Sequence, residues 1–200
     1  QSSYFLSKAQ KVTFKKHWDS RLNNEYADKS FAYGVSSADL DGASAHYRKA
    51  ISHNASHVKA LNNLAIILLY EQKTEEAVSL FRKVIKLKPD FVIAHNNLGS
   101  ALHSIGKIRE AIFHYRTSIK LNPNYAEAQA SLGRALMKTG NAREAMSHYR
   151  ISIKLKPEHA RTYYNLGNAL LSIKKTAEAI THYKMAIKLK PNSAAAHNNL

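Results

Sequence analysis

The side chains with most chemical potential in this 200-residue chain recur in columns. Histidines stand at His46, His114, His148 and His182, all on one 34-residue register. A zinc ion needs several ligand atoms within about 2.1 Å of itself, whereas equivalent positions on stacked helices lie on the order of 10 Å apart. The histidine column therefore argues for packing, not for a metal centre. Apart from the adjacent Glu75 and Glu76, aspartate and glutamate are scattered singly, with no paired-carboxylate motif, no glycine-rich phosphate loop and no Ser/His/Asp order. The absence of cysteine removes disulfides, thiolate metal sites and a cysteine nucleophile. No catalytic, metal or cofactor role is assigned to any residue, and the sequence as it stands reads as a non-enzyme.

Two other columns suit binding. Asn62-Asn63, Asn96-Asn97, Asn165 and Asn198-Asn199 each precede a leucine at the same register, interrupted by Ser131. Asparagine is a mediocre helix former, so its repetition on a helix asks for a reason. A ladder of amides can hydrogen-bond the backbone of an extended peptide without reading its side chains. The second column is basic: Arg82 with Lys86, Arg116 with Lys120, Arg150 with Lys154, Lys184 with Lys188. A spacing of four puts each pair on one helix face. Such a face can dock an acidic partner, and cations near a helix C-terminus also complement its dipole.

The elements that position these columns follow from the prolines. Pro89, Pro123, Pro157 and Pro191 are the only four and recur every 34 residues, each closing an Ile-Lys-Leu run. A fixed period of that length marks a stack of small units. The register gives complete units over 58–91, 92–125, 126–159 and 160–193, a degenerate unit over 24–57 and the start of another over 194–200. Within 92–125, Ala94, Leu98, Ala101, Leu102 and Ile105 form one apolar stripe. Ile108, Ala111, Ile112, Tyr115, Ile119 and Leu121 form a second. Steps of three and four predict two helices per unit. Gly106 and Gly140 fall where a left-handed turn residue is needed, Asn141 with Glu144 predicts a capping box, and each proline ends the second helix. Gly99, Gly133 and Gly167 (Ala65 in the first complete unit) and Ala77, Ala111, Ala145 and Ala179 predict close helix approach, with Phe81, Tyr115, Tyr149 and Tyr183 filling the space between.

With Leu98-Gly99, Leu102, Ala111, Tyr115 and Pro123, and the same set in 126–159 and 160–193, the protein resembles the tetratricopeptide repeat (TPR) family over residues 58–200. Residues 24–57 depart from the pattern, with Ser30-Phe31 for Leu-Gly and Ala55 for proline. The resemblance implies an all-α superhelix, a solenoid of antiparallel helix pairs whose first helices line a concave groove. It implies a protein-interaction scaffold that takes a partner peptide or helix, with Asn62, Asn63, Asn96, Asn97, Ser100, Arg134, Arg161, Tyr164, Asn165 and Asn168 as the expected contacts. The carboxylate clamp of chaperone-binding relatives is not assembled by Lys59, Asn62, Ile66, Ile93, Ser100, Arg134 and Arg161. The amides resemble the asparagine ladder of O-GlcNAc transferase, and stretches 46–65 and 89–99 resemble the arrays of transmembrane-and-TPR O-mannosyltransferases. Both imply, as the alternative, the substrate-recognition part of a glycosyltransferase whose chemistry lies elsewhere.

Lysine and arginine outnumber aspartate and glutamate by 30 to 14, a net charge of +16. That excess favours an acidic protein or peptide partner, with membership of a larger complex in keeping. No aromatic platform interleaves with the basic residues, which argues against nucleic acid. Segment 1–23, with Phe5, Leu6, Val12, Phe14 and Trp18 among basic residues, reads as an amphipathic lead-in that caps the array, and is the one stretch suited to membrane contact. Asn54-Ala55-Ser56 is a glycosylation sequon, a pointer to a secretory lumen set against a favoured cytoplasmic setting. The sequence begins at Gln1 and stops within a repeat, as expected of a piece of a longer protein.

Overall fold

The computed structural model of the protein describes Leu22, Glu25 and residues 37–199. The expected lead-in over 1–23, apart from Leu22, and the first part of the degenerate unit lie outside the described residues. Among the described residues there is no strand, and ten helices follow one another. The protein divides into two compact units, Gln1–Pro89 and Asp90–Leu200. In the first, α1 (Ser37–His53) packs on α2 (Val58–Tyr70), and α2 pairs with α3 (Thr74–Leu87). In the second, α4 (Val92–Ser104) pairs with α5 (Ile108–Leu121), α6 (Ala126–Lys138) with α7 (Ala142–Leu155), and α8 (Ala160–Ser172) with α9 (Thr176–Leu189). The short α10 (Ala194–His197) packs on α9.

Each first helix ends in the same way. The residue at its left-handed position donates one backbone hydrogen bond back, and the next residue donates another one turn deeper. After α4 these are Gly106 N–H to His103 O (3.1 Å) and Lys107 N–H to Leu102 O (2.9 Å). After α6 they are Gly140 N–H to Met137 O (3.2 Å) and Asn141 N–H to Leu136 O (3.0 Å). This is the Schellman arrangement, which satisfies carbonyls the helix leaves open. Gly106 and Gly140 have φ of 79° and 80°, whereas the same position is held by Gln72 (φ 62°) and Lys174 (φ 63°). The hydrogen bonds outweigh the crowding of a Cβ there, roughly 1–2 kcal/mol. The capping box expected at Asn141 does not form. Asn141 stands at the N-cap of α7, but its side chain makes no cap bond and donates instead to Thr139 Oγ1 at 3.1 Å.

The core of each pair is a large ring against a missing side chain. Tyr115, Tyr149 and Tyr183 are buried. A methyl built on Gly99, Gly133 or Gly167 would sit 2.7, 2.6 or 2.5 Å from the Cε1 of its tyrosine. The glycine column therefore makes room for the ring of the partner helix, a sharper role than the backbone approach expected from sequence. Burying such a ring contributes roughly 2–3 kcal/mol. A second link ties the end of one helix to the start of its mate. Ser118 Oγ donates to Val92 O and Ser152 Oγ to Ala126 O, both at 2.9 Å. Leu121, expected in the second apolar stripe, is 40% exposed at the C-terminal end of α5. No helix among the described residues is long and apolar enough to cross a membrane.

Two glycine substitutions have opposite expected signs. Gly133→Val forces methyls into the Tyr149 ring and lowers stability in urea unfolding by about 1–3 kcal/mol. Gly42→Ala lies within α1 with nothing within 4 Å of the new methyl, and raises the stability of the first unit by up to about 1 kcal/mol through helix propensity. Equal effects from the two would contradict the interlocking role of the Gly–Tyr pair.

Candidate functional site

The first helices carry the expected contacts, and the structure divides them. In the first unit, Asn62 is only 4% exposed and its Nδ2 donates to Asn63 Oδ1 at 3.2 Å. Asn63 Nδ2 donates in turn to the Tyr47 hydroxyl at 3.0 Å, tying α2 to α1. In the second unit, Asn96 is 7% exposed, and its Oδ1 is buried without a partner. Asn97 is half-buried. An open amide ladder was expected; Asn62 and Asn96 are instead buried. Ser100 Oγ accepts from the Tyr115 hydroxyl at 3.2 Å, and Asn168 Oδ1 from the Tyr183 hydroxyl at 2.7 Å. These two complete the polar ends of the buried tyrosines. Asn199 Nδ2 reaches both Asn168 Oδ1 (3.0 Å) and the Tyr164 hydroxyl (3.4 Å).

The remaining expected contacts come together. A cavity of about 120 Å³ opens between α6 and α8, lined by Glu127, Ala130, Ser131, Arg134, His159, Arg161, Thr162 and Asn165. Arg134, Arg161 and Asn165 were expected from sequence; Glu127, His159 and Thr162 were not. The signal was present in the register: Glu127 and Arg161 share one column, Ser131 and Asn165 another, 34 residues apart. A cavity between successive repeats is walled by both members of each column. A wider hollow of about 490 Å³ lies over the turns at 106–110 and Thr139, and mixes Lys107 and Arg109 with Glu110.

The electrostatics of the α6–α8 cavity are lopsided. Arg134 Nε is buried without a hydrogen-bond partner among the described residues, and so is His103 Nε2. Burial lowers the His103 imidazole from its ordinary value, and the charges of Arg134 and Lys138 lower it further. Burial pushes the Tyr149 phenol up, while Arg134 and Arg161 pull it partway back. Glu127 is the one carboxylate on the wall and is already engaged: Lys156 Nζ lies 3.0 Å from its Oε1. Burial works to raise the Glu127 carboxyl, but that hydrogen bond and charge hold it below its usual range.

The histidine column lies elsewhere. His148 Nδ1–H donates to Gln129 Oε1 at 2.7 Å, and Gln129 Nε2 donates to Pro123 O at 3.2 Å. His114 Nδ1 meets His95 Nδ1 at 3.2 Å with the rings stacked, and His182 lies against Tyr163 at 6.1 Å between ring centroids. Each of these three histidines thus reaches the residue 19 positions earlier, on its paired first helix. The basic pairs are exposed, and Arg116 Nη2 bonds Glu144 Oε1 at 2.8 Å. Lys86, Lys120, Lys154 and Lys188 stand in the last turns of α3, α5, α7 and α9, where they complement the helix dipole. Asn54 Oδ1 accepts from Ser56 N–H at 3.1 Å in the turn after α1.

Paired helices with a repeated tyrosine–glycine core, and polar residues of successive first helices meeting at one cavity, define a helical-repeat scaffold. The Tetratricopeptide repeat model matches residues 160–193, and the TPR repeat model matches 67–106, 99–140 and 133–174. These matches span more than half of the protein, which belongs to the tetratricopeptide repeat family. Among solved structures it is similar to MamA, at 26% identity over 88% of this sequence and 94% of that one, with a TM-score of 0.71. It is similar in fold to YrrB, a TPR protein with an unusual peptide-binding site, at 21% identity over 96% and 97% of the two sequences and a TM-score of 0.72. It is also similar in fold to Pseudomonas aeruginosa PilF, at 15% identity over 92% and 90% and a TM-score of 0.74. No curated protein matches it in sequence. The resemblance to O-mannosyltransferase and O-GlcNAc transferase arrays gains no support from these comparisons.

The half-buried imidazoles set a pH dependence. Burial lowers His103, His148 and His182 from their ordinary values, the nearby Glu144 opposing it at His148. The folded state then binds fewer protons than the unfolded state once the pH falls through about 6.5. Stability is full above that value and is lost as the pH drops through it. The urea midpoint should fall between pH 7.5 and 5.5, and the combined His103→Asn, His148→Asn, His182→Asn variant should show a flatter profile. A variant as steep as the parent would assign the loss to other groups.

Proposed function

We propose that this protein is an interaction scaffold that holds a segment of its protein partner along the first helices α4, α6 and α8. The carrying observation is the convergence of Ser131 and Arg134 from α6 with Arg161 and Asn165 from α8 on one cavity. None of these four side chains is engaged in a hydrogen bond or ion pair with the described residues. Elsewhere on the first helices, Ser100 and Asn168 are consumed by tyrosine hydroxyls. Side chains left unengaged at the junction of two repeats are available to a partner's backbone and polar groups. Membership of the TPR family supports the reading, as does YrrB, a protein of the same fold with a peptide-binding site. The net charge of +16 favours an acidic partner.

The test is selection of binders from a random peptide library on the 200-residue chain, followed by hydrogen-exchange mapping. Selected peptides should protect α6 and α8. Ser131→Phe, which fills the cavity from a half-buried position, should weaken them about tenfold, or roughly 1.4 kcal/mol, with the helical circular dichroism unchanged. Protection confined to α5, α7 and α9, or full binding by Ser131→Phe, overturns the reading.

A further inference from the structure

Single exposed apolar side chains are ordinary on a protein surface, whereas an aligned set of them marks a contact site. The second unit carries such a set on its second helices. Phe113 and Leu121 on α5, Ile151 and Leu155 on α7, and Met185 and Leu189 on α9 are exposed, Phe113 to 63% and the other five to 37–41%. They belong to three columns of the 34-residue register, 113/147/181, 117/151/185 and 121/155/189. Successive columns are four residues apart, so on each helix they run along one side. The positions that interrupt them are hydroxyls, and each is turned onto its own helix. Thr117 Oγ1 donates to Phe113 O (2.9 Å), Ser147 Oγ to Arg143 O (3.5 Å) and Thr181 Oγ1 to Ala177 O (3.2 Å). The strip therefore presents no hydroxyl in need of a partner. One residue before its middle and last columns runs a row of exposed cations: Arg116 and Lys120, Arg150 and Lys154, Lys184 and Lys188. Arg116 bonds Glu144, and the other five make no hydrogen bond or ion pair with the described residues. Segments 113–121, 147–155 and 181–189 contain no aspartate or glutamate. Glu144 and Glu178 stand in the first turns of α7 and α9, held by Arg116 and Lys175.

We propose that the exposed sides of α5, α7 and α9 form a docking face for an anionic lipid bilayer, the apolar strip settling among the acyl-chain ends of the headgroup layer and the cations meeting the lipid anions. Charge complementarity carries the choice of occupant. A basic column beside an apolar one is the pattern by which an amphipathic helix lies in a membrane interface, and here three neighbouring helices present it in one register. Long lysine stems keep their ammonium groups at headgroup level while the apolar side chains sit deeper. Neither cavity described above is lined by any of these residues. A face that states one pattern three times suits a surface of many identical headgroups better than a single protein segment. The contact is one of lying on the bilayer, in keeping with the absence of a membrane-crossing helix among the described residues. It is separate from segment 1–23, where the sequence alone places membrane contact, and it uses other helices than the partner segment proposed above.

The experiment is flotation of the 200-residue chain with vesicles of phosphatidylcholine alone and of phosphatidylcholine carrying roughly one-third phosphatidylserine. Saturable binding to the anionic vesicles, weakened by added salt, and none to the neutral ones is expected. Each cation near an anionic surface strengthens association about fivefold. Lys154→Gln with Lys188→Gln should therefore weaken binding at least tenfold, and Ile151→Ser with Met185→Ser about tenfold. All four positions are exposed, so the helical circular dichroism should not change. Phe113→Trp, in a background where the sole tryptophan is removed by Trp18→Phe, should shift its emission to the blue and be quenched by brominated acyl chains. Equal binding to neutral vesicles or the lack of quenching overturns the proposal. Unchanged binding by the Lys154→Gln, Lys188→Gln variant overturns it as well and moves the contact to segment 1–23. Polyglutamate or poly(U) bound as tightly as the anionic vesicles assigns the face to an acidic protein or to RNA instead. Peptide selection at α6 and α8 reads other helices, so either reading can fail while the other stands.

Discussion

The structure depends on one steric fit, the tyrosine ring of a second helix seated over a glycine of the first. In the second unit this fit recurs three times, at Tyr115 on Gly99, Tyr149 on Gly133 and Tyr183 on Gly167. A methyl in place of the glycine hydrogen would overlap the ring, so the fit fixes both the approach of the two helices and their register. It also fixes where the phenol oxygen emerges. The ring crosses the pair and delivers its hydroxyl to the residue following the glycine, Ser100 or Asn168.

That delivery is what singles out the junction of α6 and α8. At the equivalent place after Gly133 stands Arg134, which offers donors only and cannot accept the Tyr149 hydroxyl. At that junction an arginine is left with a buried, unpartnered Nε beside a cavity. The same repeat geometry that closes the core elsewhere leaves, with one changed residue, a concentration of uncompensated positive charge. Helices α5, α7 and α9 carry more basic residues, but those are exposed to solvent, and Lys120, Lys154 and Lys188 stand in the last turns, where the helix dipole also stabilises them.

Much of the fold was legible in the sequence because a repeat states its rules several times over. The proline beat, the glycine and alanine columns and the two apolar stripes point to paired helices whichever unit is read. The local errors were equally instructive. Asn141 with Glu144 has the letters of a capping box, yet the amide finds Thr139 Oγ1 in the turn behind it. The asparagine pairs look like a ladder, yet one member of each of the pairs at 62–63 and 96–97 turns inward. The histidine column was rightly placed on the packed edge of the second helices, but its partners, His95, Gln129 and Tyr163, lie on another helix and could not be paired from spacing.

Periodicity alone determined that the protein is helical, that it repeats every 34 residues, and which columns are apolar, small, basic or polar, since each depends on local spacing and residue type. Only the tertiary structure decided which polar residues are consumed and which are left over. That outcome depends on distances between helices: a tyrosine hydroxyl reaches Asn168 and Ser100, Lys156 reaches Glu127, and no described carboxylate pairs with Arg134 or Arg161. Hydrogen-bond accounting across a helix interface is a three-dimensional sum, and residues sharing a column in sequence can end with opposite balances.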